Sequence, residues 1–288
     1  MKKLTVFTPA YNRADMLHTV YESLLSQTDS DFVWLVVDDG SSDDTWEVLN
    51  SFKREGKLEM ELIRQENGGK MRAHNTGVKH AKTELFVCLD SDDRFTKNTV
   101  SDILRQWEKV SSDPRIAGIV AHKGRDEEHI LYDSVFPDVS EDTLSGLYRK
   151  GFNGETTLVY RTEVLMRYLF PEIPGEKYVP EDVVYDQIDR EYRLSVLNRI
   201  LTVCVLTDEG LTDRAAELRE KNPTGWYIYY VNRSRNTGLS LLKIKYISHY
   251  LRFYPVADRS IKRENKLPLL TSLIGIPGAL ILILMGKR

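Results

Sequence analysis

Short apolar runs alternate with helical patterns through the first 120 residues, and each run stops at a polar, turn-forming cluster. Residues 4–7, 32–37, 58–63, 85–89 and 116–120 read as buried strands, and about 15–27, 44–55, 70–81 and 98–110 as the helices between them. Strands separated by helices build crossover units, so the pattern predicts an α/β fold with a mostly parallel central sheet flanked by helices. Ligands of such sheets bind outside the carboxyl ends of the strands. Three unusual clusters fall at those ends: Thr8-Pro9-Ala10-Tyr11-Asn12-Arg13, Asp38-Asp39-Gly40 and Asp90-Ser91-Asp92-Asp93. Loops are polar in any protein. Three clusters on one rim, all joining carboxylates or aromatics to turn residues, point to a site.

Composition narrows the partners. The 288 residues hold 40 Lys and Arg against 43 Asp and Glu, a net of −3, which argues against a general nucleic-acid binder. Cys88 and Cys204 sit in separate apolar runs, too few for a disulfide framework or a cysteine zinc site. Met1-Lys2-Lys3-Leu4 enters a strand pattern at once, without the layout of a signal peptide, so a cytoplasmic setting is expected. The near-neutral total hides an asymmetry: residues 238–288 hold nine basic and two acidic residues, a net of +7. A basic tail on an acidic body suits an anionic surface.

The Asp90-Ser91-Asp92 cluster carries the sharpest chemistry. In an extended segment residues two apart face the same side, so Asp90 and Asp92 are expected to converge. Crowded carboxylates without His or Cys favour Mg²⁺ or Mn²⁺, completed by substrate phosphates. The simplest alternative is a pair of helix-capping aspartates ahead of the 98–110 helix. A phosphatase with an Asp nucleophile also uses Asp-x-Asp after a strand, but Arg94 stands where that pattern wants Thr or Val. Gly68-Gly69-Lys70 lacks the upstream Gly of a phosphate loop and has Met71 in place of the metal-holding Ser or Thr. Lys70 and Arg72, at a helix start, still attract phosphate by charge.

Four ordered motifs resemble the nucleotide-binding half of the inverting family 2 glycosyltransferases, which have the GT-A fold. They are Thr8-Pro9-Ala10-Tyr11-Asn12-Arg13, Val37-Asp38-Asp39-Gly40-Ser41-Ser42-Asp43, Gly69-Lys70-Met71-Arg72-Ala73-His74-Asn75 and Leu89-Asp90-Ser91-Asp92-Asp93. The resemblance implies that Thr8, Pro9 and Tyr11 line a nucleoside pocket and that Asp39 accepts a hydrogen bond from the base, uracil being a suitable donor. It implies Arg13, Lys70 and Arg72 near a diphosphate, Asp90 and Ser91 toward the ribose or sugar, and Asp92 on a Mn²⁺ or Mg²⁺ ion. Inversion needs a base for the acceptor hydroxyl. The family's Glu-Asp motif falls on Glu181-Asp182, which implies Asp182 as that base and Glu181 as orienting the acceptor, with Asp186 as the fallback. The same carboxylates can instead cap the helix that begins there. A phosphatase or nucleotidyltransferase using Asp90 and Asp92, and a non-catalytic nucleotide-sugar-binding scaffold, are the competing classes.

The chain also departs from part of the family. The stretch 189–194 lacks the Gln-x-x-Arg-Trp motif of processive members, so a single-sugar transfer is expected. Residues 267–285 carry no charge over 19 positions, between Lys266 and Lys287-Arg288. A straight helix of that length reaches ~28 Å, just short of the ~30 Å hydrocarbon core. Pro268, Gly275, Pro277 and Gly278 weaken a span, so a segment lying in the inner leaflet is expected. That setting suits a lipid-linked saccharide acceptor, with cell-surface polysaccharide synthesis as the family-level expectation. Three regions follow: 1–120 for the nucleotide sugar, 121–237 for the acceptor and 238–288 for the membrane, with the oligomeric state open. Tyr227, Tyr229 and Tyr230 are expected to pack the C-terminal region rather than stack on sugars.

Overall fold

A computed structural model of the protein describes residues 2–204 and 215–284. The chain divides into two compact units: 1–169 with 188–206, and 170–187 with 207–288.

The first unit is built on a nine-stranded sheet. Its N-terminal half runs β1 (Leu4–Ala10), α1 (Leu17–Leu25), β2 (Phe32–Asp38), α2 (Thr45–Glu55), β3 (Met60–Arg64), α3 (Lys70–His80), β4 (Leu85–Cys88), β5 (Asp93–Phe95), α4 (Thr99–Val110) and β6 (Ile116–Gly124). Then come β7 (Glu141–Asp142), α5 (Leu144–Arg149), β8 (Thr156–Arg161) and α6 (Thr162–Leu165). After α7 (Asp182–Ile188), β9 (Arg193–Cys204) returns to the sheet. The strand order is β3-β2-β1-β4-β8-β6-β9-β5, with β7 paired to β9. The expected parallel arrangement holds across β3, β2, β1 and β4. Beyond β4 the sheet is mixed, because β8 runs antiparallel to both β4 and β6.

Burial explains the first strands. β2 is buried along its whole length and β1 nearly so, as a central strand covered on both faces requires. The core includes Leu4, Val6, Trp34, Val36, Leu85, Val87, Ile103 and Trp107. Further along, three expectations change. The helix that opens at Glu181-Asp182 reads from sequence as running to about Leu194; it stops at Ile188, and residues from Arg193 pair with β6, so strand pairing overrides a helical pattern. The apolar run 200–206 reads from sequence as a strand; the strand begins earlier, at Arg193, and the last two positions of that run lie outside the described residues. The pattern over 162–170 reads from sequence as a helix; only the short α6 forms, and the chain turns from Met166 onward.

The second unit is helical: α7, α8 (Ala215–Lys221), α9 (Pro223–Asn236), α10 (Leu241–Phe253), α11 (Arg259–Glu264), α12 (Leu269–Leu273) and α13 (Ile276–Leu284). Tyr227 and Tyr230 are buried in it, the Tyr227 hydroxyl donating to the Asn265 carbonyl. α10 packs on α9 and α13. Gly275 makes the second contact possible, since a Cβ there would stand 2.5 Å from the Ile247 side chain. The apolar stretch 267–285 is therefore two short helices over its described part; Met285, Lys287 and Arg288 lie outside it. Among the described residues no helix is long and apolar enough to cross a membrane.

Candidate functional site

The loops after β1 and β2 are stitched into one rim. Asn12, in the left-handed region at φ 52°, donates its N–H to Ser41 Oγ (2.9 Å) and accepts from the Ser42 N–H on Oδ1 (2.9 Å). The Arg13 N–H donates to Thr45 Oγ1 at 2.8 Å, and the Asp39 N–H to the Ala10 carbonyl at 2.8 Å. Gly40 has φ +75°, and a Cβ there would meet the Asn67 N at 2.8 Å, so this turn requires glycine twice over. Tyr11 is 48% exposed on the rim, with Pro9 and Arg13 partly covered beside it in sequence. Thr8 is different. Its side chain is fully buried and its hydroxyl accepts from the Trp34 indole N–H at 3.0 Å, which fixes it beneath the rim.

Asp39 organises the loop that leads into α3. Its Oδ1 accepts from Gln65 Nε2 (2.7 Å) and the Gly68 N–H (2.9 Å). Its Oδ2 accepts from Asn67 Nδ2 (3.1 Å) and the Gly69 N–H (2.7 Å). A carboxylate offers about four lone-pair positions, and the loop fills them. A uracil imide reaching Asp39 must therefore replace one of these donors. Gly69 is followed at once by Lys70 and Arg72 on the first turn of α3, where the helix dipole favours an anion.

Lys70 Nζ stands 2.8 Å from Asp90 Oδ1. The residue that sequence reasoning missed is Lys123, at the carboxyl end of β6: its Nζ lies 2.8 Å from Asp93 Oδ2 and 3.9 Å from Asp90 Oδ2. Asp90 and Asp92 do not sit on an extended segment as expected. The Asp93 N–H donates to the Asp90 carbonyl at 3.1 Å, closing a turn, and the chain then enters β5. The carboxylates that share a cation are thus Asp90 and Asp93. Burial alone raises the Asp90 carboxyl, but the Lys70 and Lys123 ammonium groups outweigh it and hold it well below the usual carboxylate range. Burial also opposes the charge on Lys123; Asp93 and Asp90 overcome it and keep Lys123 firmly protonated. Burial pushes Asp93 up against the pull of Lys123, and pushes the neighbouring Cys204 thiol up to about 12. Ser91 is buried and Asp92 half-buried on the same turn. Among the described residues no three His, Cys, Asp or Glu side chains form a metal-binding group. Asp92 fits a hard cation only as one oxygen donor among ligand phosphates.

In the second unit Asp182 opens α7, with Glu181 just before it. Arg233 of α9 reaches Asp182 Oδ1 with Nη2 at 2.8 Å and Asp186 Oδ1 with Nη1 at 3.2 Å. Asp182 is half-exposed, whereas Asp186 is buried.

Comparison with known proteins gives a family and a fold. The profile described as "Glycosyl transferase family 2" matches residues 5–169. TarP of Staphylococcus aureus, a poly(ribitol-phosphate) beta-N-acetylglucosaminyltransferase, is 31% identical over 137 residues, covering 46% of this chain and 42% of its own. The chain spans about half or less of the length of the curated relatives it matches. Among solved structures, S. aureus TarS 1–349 in complex with UDP-GlcNAc superposes with a TM-score of 0.62 at 21% identity, over 96% of this chain and 79% of that one. The mannosyltransferase PcManGT of Pyrobaculum calidifontis, with GDP-Man and Mn²⁺, gives 0.58 at 16% identity, over 99% and 82%. At these identities the structures speak for the fold.

Proposed function

The chain belongs to glycosyltransferase family 2, and from that premise we propose that it moves a single sugar, with inversion, from a UDP-sugar to a hydroxyl of a saccharide or lipid-linked saccharide. The observation that carries this reading is the Lys70–Asp90 pair where the carboxyl end of β4 meets the start of α3. It stands on the sheet rim where ligands of such folds bind, next to the loop that Asp39 ties down. UDP as the nucleotide is supported by the UDP-GlcNAc complex of TarS, and a hydroxyl-bearing polymer as the acceptor class by the poly(ribitol-phosphate) in the name of TarP.

The chemistry follows from charge. Cleavage of a sugar–phosphate bond leaves a nucleoside diphosphate, and groups aimed at its growing negative charge lower the barrier. Lys70, Arg72 and Arg13 supply fixed positive charge, and the Tyr11 ring offers a face for the base. Asp92 would hold a divalent cation, which when bound neutralises diphosphate charge; the Mn²⁺ in PcManGT supports use of such a cation. Asp182 takes the proton from the acceptor hydroxyl as it attacks, with Glu181 orienting that hydroxyl. The basic C-terminal region rests on an anionic membrane surface: Leu269 and Leu270 of α12 are 78% and 80% exposed, with Lys262, Arg263 and Lys266 just upstream.

The test is release of UDP from a panel of UDP-sugars, with Asp182→Asn beside the parent. The expected result is turnover of at least one donor, a collapse of that turnover in Asp182→Asn, and UDP affinity unchanged. Parental turnover in the variant removes Asp182 from the mechanism.

A further inference from the structure

Arg233 lies in the aromatic stretch Trp226–Tyr230 and its continuation along α9, where nothing in the sequence patterns marks it out. One guanidinium there serves two carboxylates on one face of α7. Asp182 and Asp186 are four residues apart, the spacing that stacks side chains on a helix. Nη2 takes Asp182 at 2.8 Å and Nη1 takes Asp186 at 3.2 Å. The side chain is only 21% exposed, and its guanidinium carbon stands 5.3 Å from the centre of the Tyr229 ring. Two α9 amides flank it: Asn232 Nδ2 donates to the Val183 carbonyl at 3.2 Å, and Asn236 Nδ2 to the Asp186 carbonyl at 2.9 Å. α9 therefore grips the first turns of α7 by backbone and side chain together.

The two carboxylates differ in a telling way. The Asp186 side chain is 3% exposed and the Asp182 side chain 41% exposed. The buried one fixes the guanidinium plane; the half-exposed one is held by it while still open to solvent. Because the guanidinium is planar and its donors are set in a rigid fork, the direction of one carboxylate fixes that of the other. A lysine ammonium at the same place has no such fork.

We propose that Arg233 is a positioning residue for the Asp182 carboxylate, with Asp186 as its anchor. The proposal rests on the reading of Asp182 as the acceptor base. In this arrangement Asp186 is no substitute base but the buried end of a chain Asp186–Arg233–Asp182 that aims the working carboxylate. Misplacement of a reacting group by about 1 Å costs on the order of a hundredfold in rate, so loss of the fork should show in kcat.

The experiment measures hydrolysis of whichever UDP-sugar of the panel turns over, with water as acceptor, and UDP affinity by calorimetry. Arg233→Gln should lower kcat by about 10- to 100-fold, with the donor KM and UDP affinity within about twofold of the parent. Arg233→Lys should recover only a minor part. A structural role alone moves stability and leaves kcat per folded molecule in place. Parental kcat in Arg233→Gln, or a loss shared equally between KM and UDP affinity, overturns the proposal. Should Arg233→Gln fail to fold, Asp186→Asn decides: a lowered kcat at unchanged KM is expected, and a parental kcat contradicts it. Asp182→Asn separates the two levels. If it retains turnover the base assignment falls; if it is inactive while Arg233→Gln is unimpaired, only the positioning role falls.

Discussion

Replacing Lys123 by Met removes the cation that Asp90 and Asp93 share while keeping the length of the side chain. Asp90 retains Lys70 at 2.8 Å. Asp93 has a side chain only 7% exposed and loses its partner at 2.8 Å. Breaking a buried pair from one side costs about 3–5 kcal/mol, because the remaining charge is stranded in a poorly solvated place. Asp93 sits at the start of β5, at the sheet edge, which allows some relaxation, so the lower end of about 3 kcal/mol applies. For a unit of this size each kcal/mol moves the midpoint by about 2–4 °C, giving a fall of about 6–12 °C. Thermal unfolding followed by near-ultraviolet circular dichroism, with a chelator present so that no added cation substitutes for the ammonium, reads this directly. A midpoint within about 2 °C of the parent would refute the argument that Lys123 is a structural counter-ion of the rim.

Asp39→Ala leaves four loop donors without their acceptor, and UDP binding should weaken by at least tenfold because α3 is no longer presented by a fixed loop; calorimetry checks it, and unchanged affinity counts against that organising role. His249, stacked on Tyr230 at 4.7 Å, is pushed down to about 4 by burial, with Arg252, Arg219 and Lys245 adding to the shift. A folded value below the ordinary one means that the unfolded chain takes up more protons, so stability should fall as pH drops from about 6.5 toward 4; His249→Phe should flatten the melting profile over that window. Co-sedimentation with vesicles tests the membrane contact: binding should require anionic lipid and decline when Leu269, Leu270 and Leu273 become Ser, whereas equal recovery with neutral vesicles contradicts it.

The parallel half of the sheet was legible because its strands are short apolar runs with turn residues at each end, a local signal. The rim was legible for the same reason, since Tyr11, Asp39, Lys70 and Asp90 all follow strands or glycine turns. What escaped came from long-range pairing. β5 is three residues long and exists because Asp93–Phe95 pair with Thr202–Cys204 of β9. β9 itself begins inside a helical pattern, and its register slips opposite Ala121 and His122, where Asn198 Oδ1 meets His122 Nε2 at 2.8 Å. Lys123 carries only a faint signal, a charge at the carboxyl end of the apolar β6 run. Arg233 carries less, a cation among aromatics whose carboxylate partners lie about fifty positions earlier in the chain. Alternation predicted that Asp90 would pair with Asp92, and the turn after Leu89 gave Asp90 a shared cation with Asp93 instead.

Calorimetric titration of UDP into the full chain, with Lys70→Met as comparison, addresses the donor site most directly. Saturable one-to-one binding by the parent, weakened at least tenfold in Lys70→Met, is the predicted result. An absence of binding by the parent for UDP and for every other nucleoside diphosphate, with or without Mn²⁺, would contradict it.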